Sequence, residues 1–179
     1  MKHGFAPKRM MKRNLSEFSV LLIAAILIAG TASSLVWAAE TAKPESAPEI
    51  TVYKSPSCGR CTQWAEHLRA DGFEVQVETV NETDSINSNL GVPQQLGSCH
   101  TAVVGDYWVE GHVPADLIRK LLEEKPADIK GIAVPGMVPG TPGMESAQPK
   151  KYQVLKVDDE GLVSVYATRE GSPALRRLY

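Results

Sequence analysis

Two cysteines three residues apart, Cys58 and Cys61, form the most distinctive chemical motif of this sequence. They close a short alternating segment and open an amphipathic one, so both sulfurs are expected at the N-terminus of a helix. The free N–H groups and the macrodipole at that end of a helix favour a thiolate. The motif therefore predicts either a redox disulfide or a pair of ligands to one soft metal ion.

A third cysteine, Cys99, stands beside His100 directly before another predicted strand. Because three cysteines form at most one intramolecular disulfide, one thiol is left over, which predicts a reactive thiol or a metal site. The alternative interpretation of Cys99 is a small buried apolar residue.

Three further side chains are candidate ligands. His112 lies in the segment Glu-Gly-His-Val-Pro between a predicted hairpin and a predicted helix, and two methionines each end a Pro-Gly-Met triplet. Thioether and thiolate sulfurs together select copper(I) over hard cations. The alternatives are a hydrogen-bonded residue before a helix for His112 and apolar filler for the methionines. The predicted metal ligands are Cys58, Cys61, Cys99, His112, Met137 and Met144.

The elements that must position these residues follow from hydrophobic periodicity. Alternation predicts strands, and apolar residues at i, i+3, i+4 and i+7 predict a helix with Cys61 on its buried face. The first two strands, joined through that helix, are expected to be parallel. The predicted elements are a strand at 50–53, a helix at 60–70, a strand at 73–78, a helix at 84–90, a hairpin at 101–104 and 107–110, and a helix between Pro114 and Pro126.

The chain changes character at 131–149, where four glycines and four prolines argue against both a helix and a strand ladder. A second hairpin is predicted at 152–157 and 162–166. The expected fold class is therefore α/β, with a thioredoxin-like mixed sheet and flanking helices. It is extended by a Gly/Pro/Met-rich loop and a C-terminal β-hairpin.

In a thioredoxin-like fold, the loop before the third strand passes beside the Cys-x-x-Cys motif. Redox members of that fold place a cis-proline in this loop, where it shapes the site for a peptide substrate. Here Cys99 and His100 stand at that point instead. Ligands in place of a substrate platform favour metal binding over disulfide exchange.

The N-terminal residues have the layout of a secretory signal peptide. Five basic residues precede an apolar run at 20–29, and small residues end at Ala38, after which cleavage is predicted. An uncleaved anchor is the alternative, because no charge occurs at 18–39. The prediction is a periplasmic protein that meets the membrane only through this segment before cleavage.

The remaining organisation follows from length and charge. A chain of 179 residues makes about one domain. Loss of 1–38 leaves 14 basic and 20 acidic residues, a net charge of −6, which argues against nucleic-acid binding and suits cations as partners. The predicted parts are the signal peptide 1–38, a flexible tether 39–48, a metal-binding domain 49–170 and a frayed tail 171–179.

Together these motifs resemble the CopG-type family of small periplasmic metal-binding proteins. The resemblance rests on the segment 53–61, on Cys-His-Thr at 99–101, on 110–114 and on both Pro-Gly-Met triplets. It implies a thioredoxin-like fold, a cysteine-rich copper site, and a role in copper tolerance or copper redox state. The family pattern is Cys-Gly-Cys-Cys, whereas this chain has Arg60 at the third position and so one thiolate fewer.

The predicted function is that of a periplasmic copper-binding protein that sequesters copper, transfers it or changes its oxidation state. Copper(I) is the expected ion, copper(II) a second state, and zinc ranks behind both. The expected partners are copper ions and other periplasmic copper-handling proteins, and no enzymatic role is expected beyond copper redox activity. The alternatives are a thiol–disulfide oxidoreductase acting through Cys58 and Cys61, and a zinc-binding structural module.

Overall fold

The computed structural model describes residues 47–174. The predicted signal peptide at 1–38, most of the predicted tether and the last residues of the predicted tail lie outside this range. Within it, no helix is both long enough and apolar enough to cross a membrane.

The described residues form the predicted strands and helices in the predicted order, with one additional strand at Ile129–Ala133 and a 3-10 turn that the hydrophobic pattern did not predict. The observed bounds extend most predicted elements by one to three residues. The elements are β1 (Glu49–Lys54), α1 (Gly59–Ala70), β2 (Glu74–Thr79), α2 (Asp84–Leu90), a single 3-10 turn (Gln94–Leu96), β3 (His100–Val104), β4 (Tyr107–Glu110), α3 (Ala115–Glu124), β5 (Ile129–Ala133), β6 (Tyr152–Asp158) and β7 (Val163–Arg169).

All seven strands belong to one sheet with the order β2-β1-β3-β4-β5-β6-β7. The pairs β1–β2 and β4–β5 are parallel, and the other neighbouring pairs are antiparallel. The sheet is therefore mixed, which confirms the predicted α/β class and the parallel pairing of the first two strands. The more specific term thioredoxin-like stays a prediction.

The main hydrophobic core places α1 and α3 against one face of the sheet. Trp64 and Leu68 of α1 and Ile118 of α3 are fully buried with Ile50 and other strand residues. Side chains in a strand point alternately to the two faces of the sheet. Tyr107 and Val109 of β4 belong to the main core, whereas Trp108 between them packs in a second, smaller cluster. The start of α1 is thus held against the central strands by apolar burial.

The hydrophobic pattern did not predict β5, and the predicted start of the Gly/Pro-rich loop was wrong. The Gly/Pro-rich loop does not begin at residue 131, because 131–133 complete β5 beside β4. A Cβ atom on Gly131 would lie 2.1 Å from the indole of Trp108, so this glycine makes room for a large side chain on the next strand. Gly131 was counted among the residues that argue against a strand, but the packing of Trp108 requires a glycine at this position.

The C-terminal hairpin is longer than predicted, with strands at Tyr152–Asp158 and Val163–Arg169. The first residues of the predicted tail, 171–174, hydrogen bond back to the loop: the N–H of Ser146 donates to Ser172, and the N–H of Ala174 donates to Ser146. The hairpin and the loop are therefore connected by backbone hydrogen bonds.

Candidate metal centre

The Cys-x-x-Cys motif lies at the N-terminus of α1, as the sequence predicted. Cys58 is the N-cap residue, and its Sγ accepts a hydrogen bond from the N–H of Cys61 at 3.2 Å. Cys58 is half-buried, whereas Cys61 is fully buried on the face that carries Trp64. The two cysteines form a disulfide with a Cα–Cα distance of 5.4 Å.

The loop before β3 brings the third cysteine to the same place. Cys99 is a free, half-buried thiol, and its carbonyl oxygen lies 3.4 Å from the Sγ of Cys61. The three sulfur atoms all lie within 4.8 Å of one another. We call Cys58, Cys61 and Cys99 the three-cysteine cluster. Burial raises the pKa of the Cys99 thiol, and a hydrogen bond from Ser98 opposes that effect.

A buried carboxyl group fixes the loop that carries Cys99. Glu110 at the end of β4 is fully buried, and it accepts hydrogen bonds from the N–H of Ser98 at 2.5 Å and the hydroxyl of Thr101 at 2.6 Å. Burial raises the pKa of Glu110 to about 7, against the opposing effect of these hydrogen bonds. The sequence motif contained this residue but gave no indication of its role.

His112 lies in the turn after β4 and is fully buried. Its Nδ1 donates to the carbonyl oxygen of Pro142 at 2.8 Å, because a carbonyl can only accept. In the neutral ring Nε2 is then an unprotonated acceptor, and it lies 3.4 Å from the Sγ of Cys99. Burial lowers the pKa of His112 and so favours the neutral ring.

His100, the first residue of β3, is a candidate ligand that was absent from the predicted set. It is fully buried, its ring centroid lies 4.3 Å from that of Trp64, and its Nδ1 lies 3.3 Å from the Sγ of Cys99. Burial lowers the pKa of His100 to about 3. Its Nε2 is buried with no hydrogen-bond partner among residues 47–174.

Cys99, His100 and His112 each offer a ligand atom within 4.8 Å of the other two. We call them the histidine–cysteine cluster. The signal for His100 was its position beside Cys99. Side chains of adjacent residues within a strand point to opposite faces of the sheet. Cys99 precedes β3, so this rule does not separate its side chain from that of His100.

The two methionine triplets lie on segments that border these clusters. The carbonyl oxygen of Gly136 accepts a hydrogen bond from the Ser98 hydroxyl at 2.9 Å, and the following Met137 is 46% exposed. Gly143 packs so closely on the start of α1 that an added Cβ would lie 2.7 Å from the backbone nitrogen of Trp64. Met144, which follows it, is half-buried. Ligation by either methionine stays a prediction.

Two cations flank the clusters. Lys54 is only 6% exposed and pairs with His100 across the β1–β3 ladder. Arg60 is exposed and donates to the Oε1 of Gln63 at 3.1 Å. Behind the larger effect of burial, the positive charge of Lys54 helps to lower the pKa of His100, and that of Arg60 helps to lower the pKa of His112.

Comparisons with known proteins find one family model and two solved structures that the chain resembles. A model of a family described as a protein of unknown function, DUF411, matches residues 96–144. Two solved structures named copper resistance protein CopG resemble the chain, each with a TM-score of 0.65. Form 2 is 43% identical and Form 1 is 44% identical. The match covers 69% of this chain and 98% and 99% of those chains, respectively. A comparison with curated proteins finds no match.

Proposed function

The chain belongs to the CopG family of copper resistance proteins, and from that premise we propose that it binds copper(I) in the periplasm through the three-cysteine cluster. The observation that supports the proposal most directly is the mutual distance of the three sulfur atoms, all within 4.8 Å. Thiolates are soft ligands, and among common metal ions they favour copper(I).

The geometry suits one ion once the disulfide is reduced. Three sulfurs at about 2.3 Å from a metal in a plane are about 4 Å apart. The half-buried Cys99 needs only a small movement, and Cys58 and Cys61 must separate from bonding distance. An external dithiol would supply the two electrons and two protons that cleave the S–S bond, and the thiols lose protons again when copper binds.

The surrounding residues support a role in holding and passing on copper. Cys58 at the cap of α1 is partly open to solvent, whereas Cys61 is fully buried. A copper-donor or copper-acceptor protein could therefore reach the ion from the Cys58 side. His112, Met137 and Met144 are the proposed additional ligands, since their segments border the cluster.

A thiol–disulfide oxidoreductase is the second candidate. The observation in its favour is the Cys58–Cys61 disulfide at a helix N-terminus, with one sulfur half-buried and the other fully buried. Against it stands the loop before β3, where Cys99 and His100 take the place of a proline. That loop carries ligands where a redox enzyme would position its peptide substrate.

Copper(I) titration separates the two functions. The reduced protein is titrated under anaerobic conditions against a competing chelator, before and after alkylation of its thiols, and insulin reduction is assayed in parallel. We expect tight copper(I) binding that alkylation abolishes, together with insulin reduction far below that of a thioredoxin. Copper binding that survives alkylation, or turnover equal to that of a thioredoxin, would contradict the proposal.

A further inference from the structure

We propose that Cys99 attacks the Cys58–Cys61 disulfide of its own chain, so that the oxidised protein exchanges this disulfide for one between Cys61 and Cys99 and releases the sulfur of Cys58 as a thiolate. The inference rests on the arrangement of the three-cysteine cluster and of His112 beside it. The reaction requires no metal ion and is therefore independent of the proposed copper-binding function.

The attacking sulfur and its target lie side by side. Cys99 is a free thiol, and its sulfur lies within 4.8 Å of both sulfurs of the disulfide. The carbonyl oxygen of Cys99 is also only 3.4 Å from the Sγ of Cys61. Exchange proceeds by direct attack of a thiolate on one sulfur of a disulfide, so a short approach of Cys99 is sufficient.

His112 is placed to take the proton of the attacking thiol. Its Nδ1 donates to the carbonyl oxygen of Pro142, which leaves Nε2 as an unprotonated acceptor 3.4 Å from the Sγ of Cys99. A nucleophile beside a base, with a third group that orients the base, is the arrangement by which enzymes activate cysteine. The three groups therefore form an activated nucleophile directed at the disulfide.

A second imidazole borders the same sulfur. Nδ1 of His100 lies 3.3 Å from the Sγ of Cys99, and its Nε2 is buried with no hydrogen-bond partner among residues 47–174. The proton of the neutral ring is better placed at Nδ1, because a buried N–H at Nε2 would have no acceptor. His100 then donates a hydrogen bond to the thiolate that His112 generates.

Cys58 is the better leaving group of the two disulfide sulfurs. It is the N-cap residue of α1, and its Sγ accepts a hydrogen bond from the N–H of Cys61 at 3.2 Å. The macrodipole and the free N–H groups at a helix N-terminus stabilise a thiolate, and the sulfur with the more stable thiolate leaves faster. Cys58 is also half-buried whereas Cys61 is fully buried, so the departing charge lies closer to solvent.

The step conserves atoms and electrons. The bond between the sulfurs of Cys58 and Cys61 breaks, and a bond between those of Cys61 and Cys99 forms. The electron pair of the broken bond passes to the sulfur of Cys58, and the proton of Cys99 passes to Nε2 of His112. No external oxidant or reductant takes part. The oxidised chain thus presents a reactive thiolate at the start of α1.

The test locates the free thiol of the oxidised, metal-free protein. The protein is alkylated with iodoacetamide in the presence of a chelator, acidified to stop exchange, digested with pepsin and mapped by mass spectrometry without reduction. We expect alkylated Cys58 together with a peptide pair joined through Cys61 and Cys99. Cys99→Ser is the control for incomplete oxidation, because its oxidised form has no free thiol and should not be labelled.

The rate of labelling tests the role of the base. Alkylation of Cys58 should be at least about tenfold slower in His112→Gln, because a general base commonly contributes about 10²-fold or more. His67→Gln is the matched control and should react at the wild-type rate. His67 is also a half-buried histidine, but it accepts a hydrogen bond from the N–H of Ala115 instead.

A second variant keeps the test decisive if His112→Gln does not fold. Cys58→Ser retains only the other two cysteines, and oxidised glutathione should convert them to a Cys61–Cys99 disulfide. Failure of that disulfide to form, or wild-type alkylation confined to Cys99, would overturn the inference. A labelling rate at Cys58 that rises with protein concentration would also overturn it, because exchange between molecules would then account for the label. Equal rates in His112→Gln and the wild type would exclude His112 as the base.

Discussion

At the scale of single residues, the proposed copper site depends on Cys99. Its sulfur is the one thiol left free by the disulfide, and it lies within reach of the other two sulfurs and of two buried imidazoles. The residues that place it there, Ser98 and Glu110, contribute no ligand atom to either cluster. Their hydrogen bond fixes the backbone on which Cys99 lies.

Replacing Arg60 with cysteine should raise the copper(I) capacity of the reduced protein. Arg60 is exposed in the first turn of α1, and its only side-chain hydrogen bond among the described residues is to Gln63. A thiolate there would restore the family pattern beside Cys61. Arg60→Ser is the control, because it removes the charge without adding sulfur. Equal anaerobic stoichiometry in the wild type and Arg60→Cys, or equal gains in both variants, would show that a thiolate at this position is not a ligand.

Glu110→Gln should change how the stability of the metal-free protein depends on pH. Folding raises the pKa of Glu110 from its ordinary value of 4.5 to about 7, so the folded state binds more protons between those values. The free energy of unfolding therefore falls as the pH rises through that window. The neutral amide removes this effect and can still accept from the N–H of Ser98. Relative to the wild type, the free energy of unfolding of the variant should increase by up to about 3 kcal/mol as the pH rises from 4.5 to 7.

The measurement is denaturant unfolding of both proteins across this pH range. His100 acts in the opposite direction, because its pKa is lowered from 6.5 to about 3 and stability therefore rises with pH between those values. The difference between the variant and the wild type isolates the carboxyl group. A difference that stays constant with pH would contradict the raised pKa of Glu110.

At the scale of elements, the site is assembled from the start of α1, the loop before β3, the turn after β4 and the Gly/Pro-rich loop. The sequence predicted candidate ligands on all four, because hydrophobic periodicity, the position of cysteines at element boundaries and the Pro-Gly-Met triplets are local signals. It could not show that Glu110 would reach back to Ser98, since that contact depends on the pairing of β3 with β4. The burial of His100 could not be predicted for a similar reason, because it depends on α1 covering the sheet.

The Gly/Pro-rich loop provides a matched pair of substitutions. Gly143 and Gly136 both have positive φ angles, +77° and +71°, and each precedes a methionine. A Cβ at Gly143 would meet the backbone of Trp64 at 2.7 Å, whereas a Cβ at Gly136 meets nothing within 4 Å. Gly136→Ala should cost only the conformational strain, about 1 kcal/mol. Gly143→Ala should cost more and should also weaken copper binding, because it displaces the loop from α1.

Unfolding free energies and copper affinities of the two alanine variants test this prediction. The two substitutions share the same side chain and the same backbone strain, so any excess effect comes from the contact with α1. If both variants lose the same stability and bind copper equally well, the packing of this loop on α1 does not matter for the site.

At the scale of the whole molecule, one mixed sheet carries the site on its central strands, and the hairpin formed by β6 and β7 extends the sheet at one edge. The predicted loss of residues 1–38 would leave an acidic chain with a net charge of −6. Such a chain attracts cations rather than anionic partners. A negative net charge suits a member of a copper resistance family, because copper ions are cations.

The exported protein should begin near Ala39. The basic, apolar and small residues of 1–38 follow the order of a cleavable signal peptide. Mass spectrometry of the protein recovered from outside the cytoplasm measures this directly. A membrane-retained species with the full precursor mass would show instead that the segment is an anchor.

The most direct test of the copper site is the copper(I) affinity of the Cys99→Ser protein, measured under anaerobic conditions with all remaining thiols reduced. If the three sulfurs bind one ion, the loss of Cys99 should weaken binding at least about tenfold relative to the wild type, or about 1.4 kcal/mol. Ser98→Ala is the control, because it alters the same loop without removing a ligand. An unchanged affinity in Cys99→Ser would contradict the three-cysteine site.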